Sequence, residues 1–187
     1  MGVDTLVRRN ILEMKPYSSA RDEFEGQGEI FLDANENPFA TGLNRYPDPY
    51  QRKLKAKIAQ LKNVQVNQLF LGNGSDEAID LILRIFCEPG QDEIITLDPT
   101  YGMYQVSAAI QNVAVKKVPL STDFQLSSSA VLRAVGNKTK VIFICTPNNP
   151  SGNDLDPTEI TEILSGFSGI VVIDEAYIDF TDVQSFT

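Results

Sequence analysis

Short uninterrupted apolar runs recur along the chain from about residue 69 onward, separated by stretches in which apolar residues return at helical spacing. The runs at residues 93–97 (Glu-Ile-Ile-Thr-Leu), 113–118, 140–145 (Lys-Val-Ile-Phe-Ile-Cys) and 170–173 (Ile-Val-Val-Ile) have the length and β-branched content of strands. Leu69-Phe70-Leu71 is read as a shorter strand. The run at 170–173 has no polar alternation and reads as a strand buried on both faces, as in parallel sheets. Residues 50–62 set Leu54, Ile58 and Leu61 among Lys, Arg and Gln, which predicts a basic amphipathic helix. Further helices are predicted over 76–86, from the Thr100-Tyr101-Gly102-Met103-Tyr104 segment onward, over 130–135, and from Asp156-Pro157 through Ile160, Ile163 and Leu164. In the last of these, Glu159 stands three residues after Asp156, as in a capping box. Strands alternating with helices predict an α/β fold, three layers deep (α/β/α), around a mainly parallel sheet with right-handed crossovers.

The beginning of the chain differs. Residues 1–45 show little periodicity beyond a candidate short strand at 29–33 and a turn at Asn35-Glu36-Asn37-Pro38, where the proline disfavours helix at Asn37. They read as an N-terminal arm or part of a small domain. Residues 46–187, beginning with a second turn at Tyr46-Pro47-Asp48-Pro49, read as part of a large sheet domain.

Composition narrows the function classes. A hydrophobic content of 42% over 187 residues suits a globular protein. The net charge of −9 argues against a nucleic-acid footprint. The chain contains no histidine, which excludes His-dependent triads and most zinc sites, so no metal is expected. Cys87 and Cys145 lie far apart in apolar runs and read as buried thiols rather than a disulfide framework. No apolar run approaches a membrane span, and the start of the chain lacks the apolar core of a signal peptide. Met-Gly opens the chain, but Leu6 stands where a myristoylation signal has Ser or Thr. The expectation is a reduced, soluble, cytoplasmic protein.

The candidate chemistry gathers after the predicted strands. Gly72-Asn73-Gly74-Ser75-Asp76-Glu77 joins a strand to a helix N-terminus, where free amides and the helix dipole can hold an anion. Ser75 can cap that helix and offer its hydroxyl to a phosphate, although a plain β–α turn has the same letters. Tyr101 can stack on a flat ligand or simply pack. The Thr146-Pro147-Asn148-Asn149-Pro150-Ser151-Gly152 loop should expose both asparagine amides at a rigid turn. Asp174 ends an apolar strand where an ionised carboxylate needs a partner, and Tyr177 follows it. In a parallel sheet these positions share the edge that carries ligand sites. A phosphate cradle, an aromatic plate, an amide, a carboxylate and a phenol fit pyridoxal 5'-phosphate, whose ring nitrogen requires an acidic partner. Gly72-x-Gly74 followed by Asp98 also imitates a dinucleotide fingerprint, but Glu77 occupies the third glycine position and Asn149, Asp174 and Tyr177 would have no role.

The segments Pro16-Tyr17-Ser18-Ser19-Ala20-Arg21, Asn35-Glu36-Asn37-Pro38-Phe39, Arg45-Tyr46-Pro47-Asp48, Gly72-Asn73-Gly74-Ser75-Asp76-Glu77, Pro99-Thr100-Tyr101-Gly102-Met103-Tyr104, Pro147-Asn148-Asn149-Pro150-Ser151-Gly152 and Asp174-Glu175-Ala176-Tyr177 carry a resemblance that runs nearly end to end. The chain resembles the histidinol-phosphate aminotransferases among the fold-type I aminotransferases. That resemblance implies pyridoxal 5'-phosphate as cofactor. It implies Gly74, Ser75 and Asp76 at the phosphate, Tyr101 against the ring, Asn149 and Tyr177 on the ring oxygen, and Asp174 on the ring nitrogen. Tyr46 would reach the phosphate of a neighbouring subunit in a homodimer, and Tyr17 and Asn37 would face the substrate. The implied reaction converts histidinol phosphate, a phosphorylated amino alcohol, and 2-oxoglutarate to imidazole-acetol phosphate and glutamate in histidine biosynthesis. Threonine-phosphate decarboxylases and aromatic aminotransferases share most of these motifs. The resemblance also implies a Schiff-base lysine beyond the Asp-Glu-Ala-Tyr segment. The expectation is therefore an N-terminal half that is inactive alone and, with unpaired sheet edges, associates with itself.

Overall fold

The structure is a computed structural model that describes residues 2–18, 23 and 30–187. It divides into two compact units, Met1–Glu13 with Gly72–Thr187, and Met14–Leu71.

The first unit is built on a parallel sheet of β1 (Glu93–Asp98), β2 (Ala114–Pro119), β3 (Thr139–Cys145) and β4 (Ile170–Asp174), in the order β2-β1-β3-β4. Its helices are α1 (Arg9–Leu12), α3 (Ser75–Phe86), α4 (Met103–Ile110), α5 (Ser128–Ala134) and α6 (Pro157–Gly166); α2 (Arg52–Lys62) lies in the other unit. Side chains alternate across the central strands as a pleated backbone requires. Ile94, Val141, Phe143 and Cys145 pack with Ile79 and Leu83 of α3 and Tyr104 and Ala108 of α4. Ile95, Leu97, Ile142 and Ile144 pack on the opposite face with Val131 of α5 and Ile160 and Ile163 of α6. The result is the three-layer α/β/α arrangement that the sequence pattern predicts. Each fully buried large aliphatic residue contributes about 1.5–3 kcal/mol, and Ile142, Phe143 and Ile144 have no exposed surface.

From β1 the chain passes through α4 to β2 on one side, then crosses by α5 to β3 on the other side of β1. The direction of winding therefore reverses between β1 and β3. In open α/β sheets this reversal opens a crevice at the carboxyl ends of the strands.

Four local expectations are corrected. β4 is half-buried along its whole length, not buried on both faces, because among the described residues it is an edge strand paired only with β3. Residues 69–71 form no strand: Leu69 has extended backbone, but no ladder partner lies beside the segment among the described residues. The candidate strand at 29–33 is likewise absent over 30–33, and Glu29 lies outside the described residues. Finally, Asp156 caps α6 by accepting from the Thr158 amide at 2.8 Å, with Pro157 in the first turn. Glu159 does not close a capping box. It accepts instead from the Ser128 amide at the start of α5, an orphan donor that a carboxylate satisfies well.

Arg8 ties the start of the chain to the end of α3. The Arg8 amide donates to the Ile85 carbonyl at 2.9 Å, and its guanidinium binds Glu88 at 2.9 Å and the Arg84 carbonyl at 2.9 Å. A cation at a helix C-terminus meets the unpaired carbonyls and the negative end of the dipole.

Within the second unit, two motifs singled out in the sequence are joined. The Glu36 carboxylate accepts from the Arg45 guanidinium and from the Tyr46 amide, each at 2.7 Å. Asn37 accepts from the Phe39 amide at 3.0 Å, closing the turn around Pro38. Asp48 accepts from the Tyr50 and Arg52 amides and so caps the start of α2; these bonds, with the Arg52 amide foremost, hold its carboxyl below the usual range.

At the amino edge of the sheet, Glu93 accepts from the Thr139 hydroxyl at 2.7 Å and from Lys116 at 2.9 Å. The Thr139 hydrogen bond chiefly, then Lys116, holds its carboxyl below the ordinary value of 4.5, against the opposing effect of burial. A carboxylate with a lowered folded-state pKa adds stability above its unfolded pKa, and that stability is lost as the pH falls through the folded value. Glu93→Ala is expected to cost about 1 kcal/mol at pH 7, because it leaves Lys116 and Thr139 short of a partner. Denaturant melts below pH 4.5 should show a shallower acid loss of stability in the variant than in the unaltered chain. Parallel pH profiles would contradict this.

Candidate functional site

The carboxyl ends of β1, β3 and β4 and the start of α3 meet at the crevice. Parallel pairing sets Cys145 beside Asp174, so the loops after β3 and β4 leave the sheet level with each other. The Thr146 amide extends the ladder by donating to the Asp174 carbonyl at 3.0 Å.

Asp174 has a donor on each carboxylate oxygen. The Ala176 amide donates to Oδ1 at 3.1 Å, and the Tyr104 hydroxyl donates to Oδ2 at 2.7 Å. Tyr104 is fully buried on α4. Burial first, then the neighbouring Cys145 and Asp174, push its phenol far upward, so it remains a protonated donor. Its ring stacks on Phe143 at 4.7 Å and meets Tyr101 edge-on at 5.6 Å.

Tyr101 in turn donates to Asp76 Oδ1 at 3.1 Å, linking the loop after β1 to the first turn of α3. That hydrogen bond is the main reason its hydroxyl titrates above the usual range; burial and then the charges of Asp76 and Asp174 add to it. Asp76, Tyr101, Tyr104 and Asp174 thus form one continuous line of contacts across the crevice. The Cys145 thiol lies below it. Burial pushes its pKa upward, with a contribution in the same direction from Asp174, while the Asn149 amide opposes.

At the opening of α3, Gly74 is the N-cap at φ 80°, a left-handed conformation that glycine adopts without steric penalty. A Cβ added there would have no neighbour within 4 Å, so the approach to the helix N-terminus is open. Ser75 is the first helical residue and not the cap, a correction to the expected role. Glu77 closes the turn by accepting from the Asn73 amide and side chain. Gly74, Ser75 and Asp76 are exposed. The first-turn amides have no acceptor within the helix, as at any helix N-terminus.

The two asparagines of the 146–152 loop have separate fates. Asn148 is 1% exposed, which corrects the expectation that both amides are free. Its side chain accepts from Thr100 Oγ1 at 2.9 Å and donates to the Pro99 carbonyl at 3.1 Å and Ser151 Oγ at 2.7 Å. It therefore fastens the loop after β3 to the loop after β1, on either side of the crevice. Asn149 is half-buried and, with Tyr177, lines a cavity of about 320 Å³ that also includes Pro147, Phe180 and Thr181. Tyr177 is 46% exposed.

The expected residues Gly74, Ser75, Asp76, Tyr101, Asn149, Asp174 and Tyr177 all lie in the first unit. Tyr17, Asn37 and Tyr46 lie in the second, and of the Pro16-to-Arg21 segment Ser19, Ala20 and Arg21 are outside the described residues. Tyr104 was not picked out by sequence reasoning, and Asn148 was expected only as an exposed amide. The only signal for Tyr104 is its spacing of three from Tyr101 in a segment whose pattern predicts helix; in the structure Tyr101 precedes α4, which starts at Met103.

Residues 32–185 match the aminotransferase class I and II family. The chain belongs to that family. It is 59% identical over 181 residues to a histidinol-phosphate aminotransferase of Parabacteroides distasonis, covering 97% of this chain and 52% of that protein. The chain spans about half the length of the curated relatives it matches. Among solved structures, it is similar to the histidinol-phosphate aminotransferase from Clostridium acetobutylicum, with a TM-score of 0.67 and 24% identity over 78% of this chain and 43% of that one. It is also similar to a histidinol-phosphate aminotransferase from Sinorhizobium meliloti in complex with pyridoxal-5'-phosphate, with a TM-score of 0.66 and 22% identity over 72% of this chain and 37% of that one. At these identities the structural likeness speaks for the fold. Among the described residues no helix is long and apolar enough to cross a membrane.

In this aminotransferase-family chain, the buried amide of Asn148 ties the loop after β1 to the loop after β3. Asn148→Ala should destabilise the fold by about 1–3 kcal/mol, since it strands the Thr100 hydroxyl and the Pro99 carbonyl. Urea unfolding at neutral pH measures this; an unchanged midpoint would show that the loop is held by other contacts.

Proposed function

We propose that this chain supplies the cofactor face of a pyridoxal 5'-phosphate-dependent aminotransferase of the histidinol-phosphate type. The observation that carries the proposal is Asp174. Its carboxylate stands at the carboxyl end of β4, beside the end of β3, fixed by two donors and next to the Tyr101–Tyr104 pair.

The chemistry of the residues present fits the cofactor. The open α3 N-terminus with Gly74 and Ser75, together with the amide of Asp76, can hold a phosphate dianion. Tyr101 can lie against an aromatic ring. Asn149 and Tyr177 can donate to a ring oxygen, and Asp174 can hold a proton on a ring nitrogen. When bound, the protonated pyridine ring acts as the electron sink for the carbon being activated. The task of Asp174 is to keep that nitrogen protonated; Asn149 and Tyr177 orient the ring, and the helix N-terminus neutralises the phosphate. None of the described lysines of the first unit is assigned as the attachment site. Lys116 and Lys117 are paired with Glu93 and Asp98, and Lys138 and Lys140 lie at the amino end of β3, opposite the crevice.

The curated relatives named histidinol-phosphate aminotransferase support histidinol phosphate as the amino donor; within this reading 2-oxoglutarate is the acceptor and the reaction belongs to histidine biosynthesis. Within this reading Tyr17 and Asn37 face the substrate. Tyr46 reaches the phosphate site of a second subunit in a cytoplasmic homodimer. Residues 1–45 form an arm that belongs with a small domain, and residues 46–187 form part of the large domain. The joining of Glu36 to Arg45 and Tyr46 supports a fixed setting for Asn37 and Tyr46.

In the whole protein that contains this chain, Asp174→Ala is expected to lower transamination of histidinol phosphate by orders of magnitude, because the ring loses the carboxylate that keeps it protonated. Steady-state assays with histidinol phosphate, phenylalanine and threonine phosphate check both the residue and the substrate. Activity within a few-fold of the unaltered enzyme would remove Asp174 from this role, and a preference for phenylalanine or threonine phosphate would reassign the substrate.

A further inference from the structure

The Tyr104 phenol is a buried group that the roles assigned above leave unused. Its ring has no exposed surface and sits between two others, stacked on Phe143 at 4.7 Å and 18° and edge-on to Tyr101 at 5.6 Å and 86°. Packed on both sides, it has no room to change rotamer. Its hydroxyl ends at Asp174 Oδ2, 2.7 Å away, across 70 residues of sequence.

An ionised carboxylate has about four lone-pair sites on its two oxygens. At Asp174 the Ala176 amide takes one on Oδ1 and the Tyr104 hydroxyl one on Oδ2, leaving the others for a ligand. The Ala176 contact is local, two residues along the chain, and turns with the loop after β4. The Tyr104 contact is anchored instead in α4 and in the core over β3. Among the described residues it alone ties the carboxylate to the rigid layer of the fold, and the same ring braces Tyr101.

We propose that Tyr104 is a positioning residue that acts through Asp174: its hydroxyl fixes the plane of the carboxylate on the ring nitrogen of bound pyridoxal 5'-phosphate. This rests on the function proposed above. A phenol serving only the core would be replaceable by phenylalanine without consequence for the cofactor, or would act independently of Asp174.

A double-mutant cycle in the whole protein separates these cases, read as the dissociation constant for pyridoxal 5'-phosphate by absorbance titration. Tyr104→Phe keeps both ring contacts and removes only the hydroxyl. It should raise the dissociation constant about tenfold, the loss of one hydrogen bond to a charged group. On an Asp174→Ala background the same change should alter the constant less than about twofold, since its route of action is gone. Equal affinity of Tyr104→Phe and the unaltered protein overturns the proposal, as does the same fold-change on both backgrounds. A Tyr104→Phe variant that does not fold, judged by circular dichroism, also overturns it, because the hydroxyl would then serve the core. Failure of the unaltered protein to bind pyridoxal 5'-phosphate removes the proposed function and this inference with it. Binding that Asp174→Ala weakens and Tyr104→Phe does not removes the inference alone.

Discussion

A carboxylate at the end of an apolar strand must be met by donors, or the strand cannot end there with its charge intact. Asp174 is met by an amide from its own turn and by the phenol of Tyr104. The second contact depends on most of the first unit. It needs α4 packed over β3 so that Tyr104 stacks on Phe143, and it needs the parallel register that sets Cys145 beside Asp174. It also needs β1 adjacent to β3, because α4 follows β1 in the chain. A slip of one residue along β4 would turn Asp174 to the opposite face of the sheet and break the contact.

The crevice owes its floor to topology and its walls to side chains. Winding reverses between β1 and β3, so no connection covers the gap at their carboxyl ends. Asn148 pins the two flanking loops together, and the Tyr101–Asp76 bond brings the open start of α3 to the same edge. Open helix-terminal amides, an aromatic face and a fixed carboxylate therefore lie together on one rim. That combination is what an aminotransferase cofactor requires, and family membership stands independently on the match over residues 32–185.

The central strands β1 and β3 were legible because burial on both faces demands apolar residues at every position, and the sequence shows that demand directly. β4 carries the same letters but is an edge strand, since pattern reports what a strand tolerates and not how many neighbours it has. Leu69-Phe70-Leu71 has strand composition but no ladder partner among the described residues, and a strand exists only through pairing. Glu159 stands at capping-box spacing yet serves the Ser128 amide on another helix, a choice made by tertiary approach. Asn148 and Asn149 are indistinguishable as letters; the fold buries Asn148 and leaves Asn149 half-buried. Asp174 and Tyr101 were legible because they follow strand ends, whereas Tyr104 lies within a helix and its partner is 70 residues away.

The central claim is that Asp174 keeps a pyridine nitrogen protonated at this rim. Nitrogen NMR of the whole protein loaded with ring-15N pyridoxal 5'-phosphate reads that proton directly. The account predicts a protonated ring nitrogen across the neutral pH range in the unaltered protein and its loss in Asp174→Ala. An unprotonated ring nitrogen in the unaltered protein, or a protonated one that is indifferent to Asp174, would contradict it.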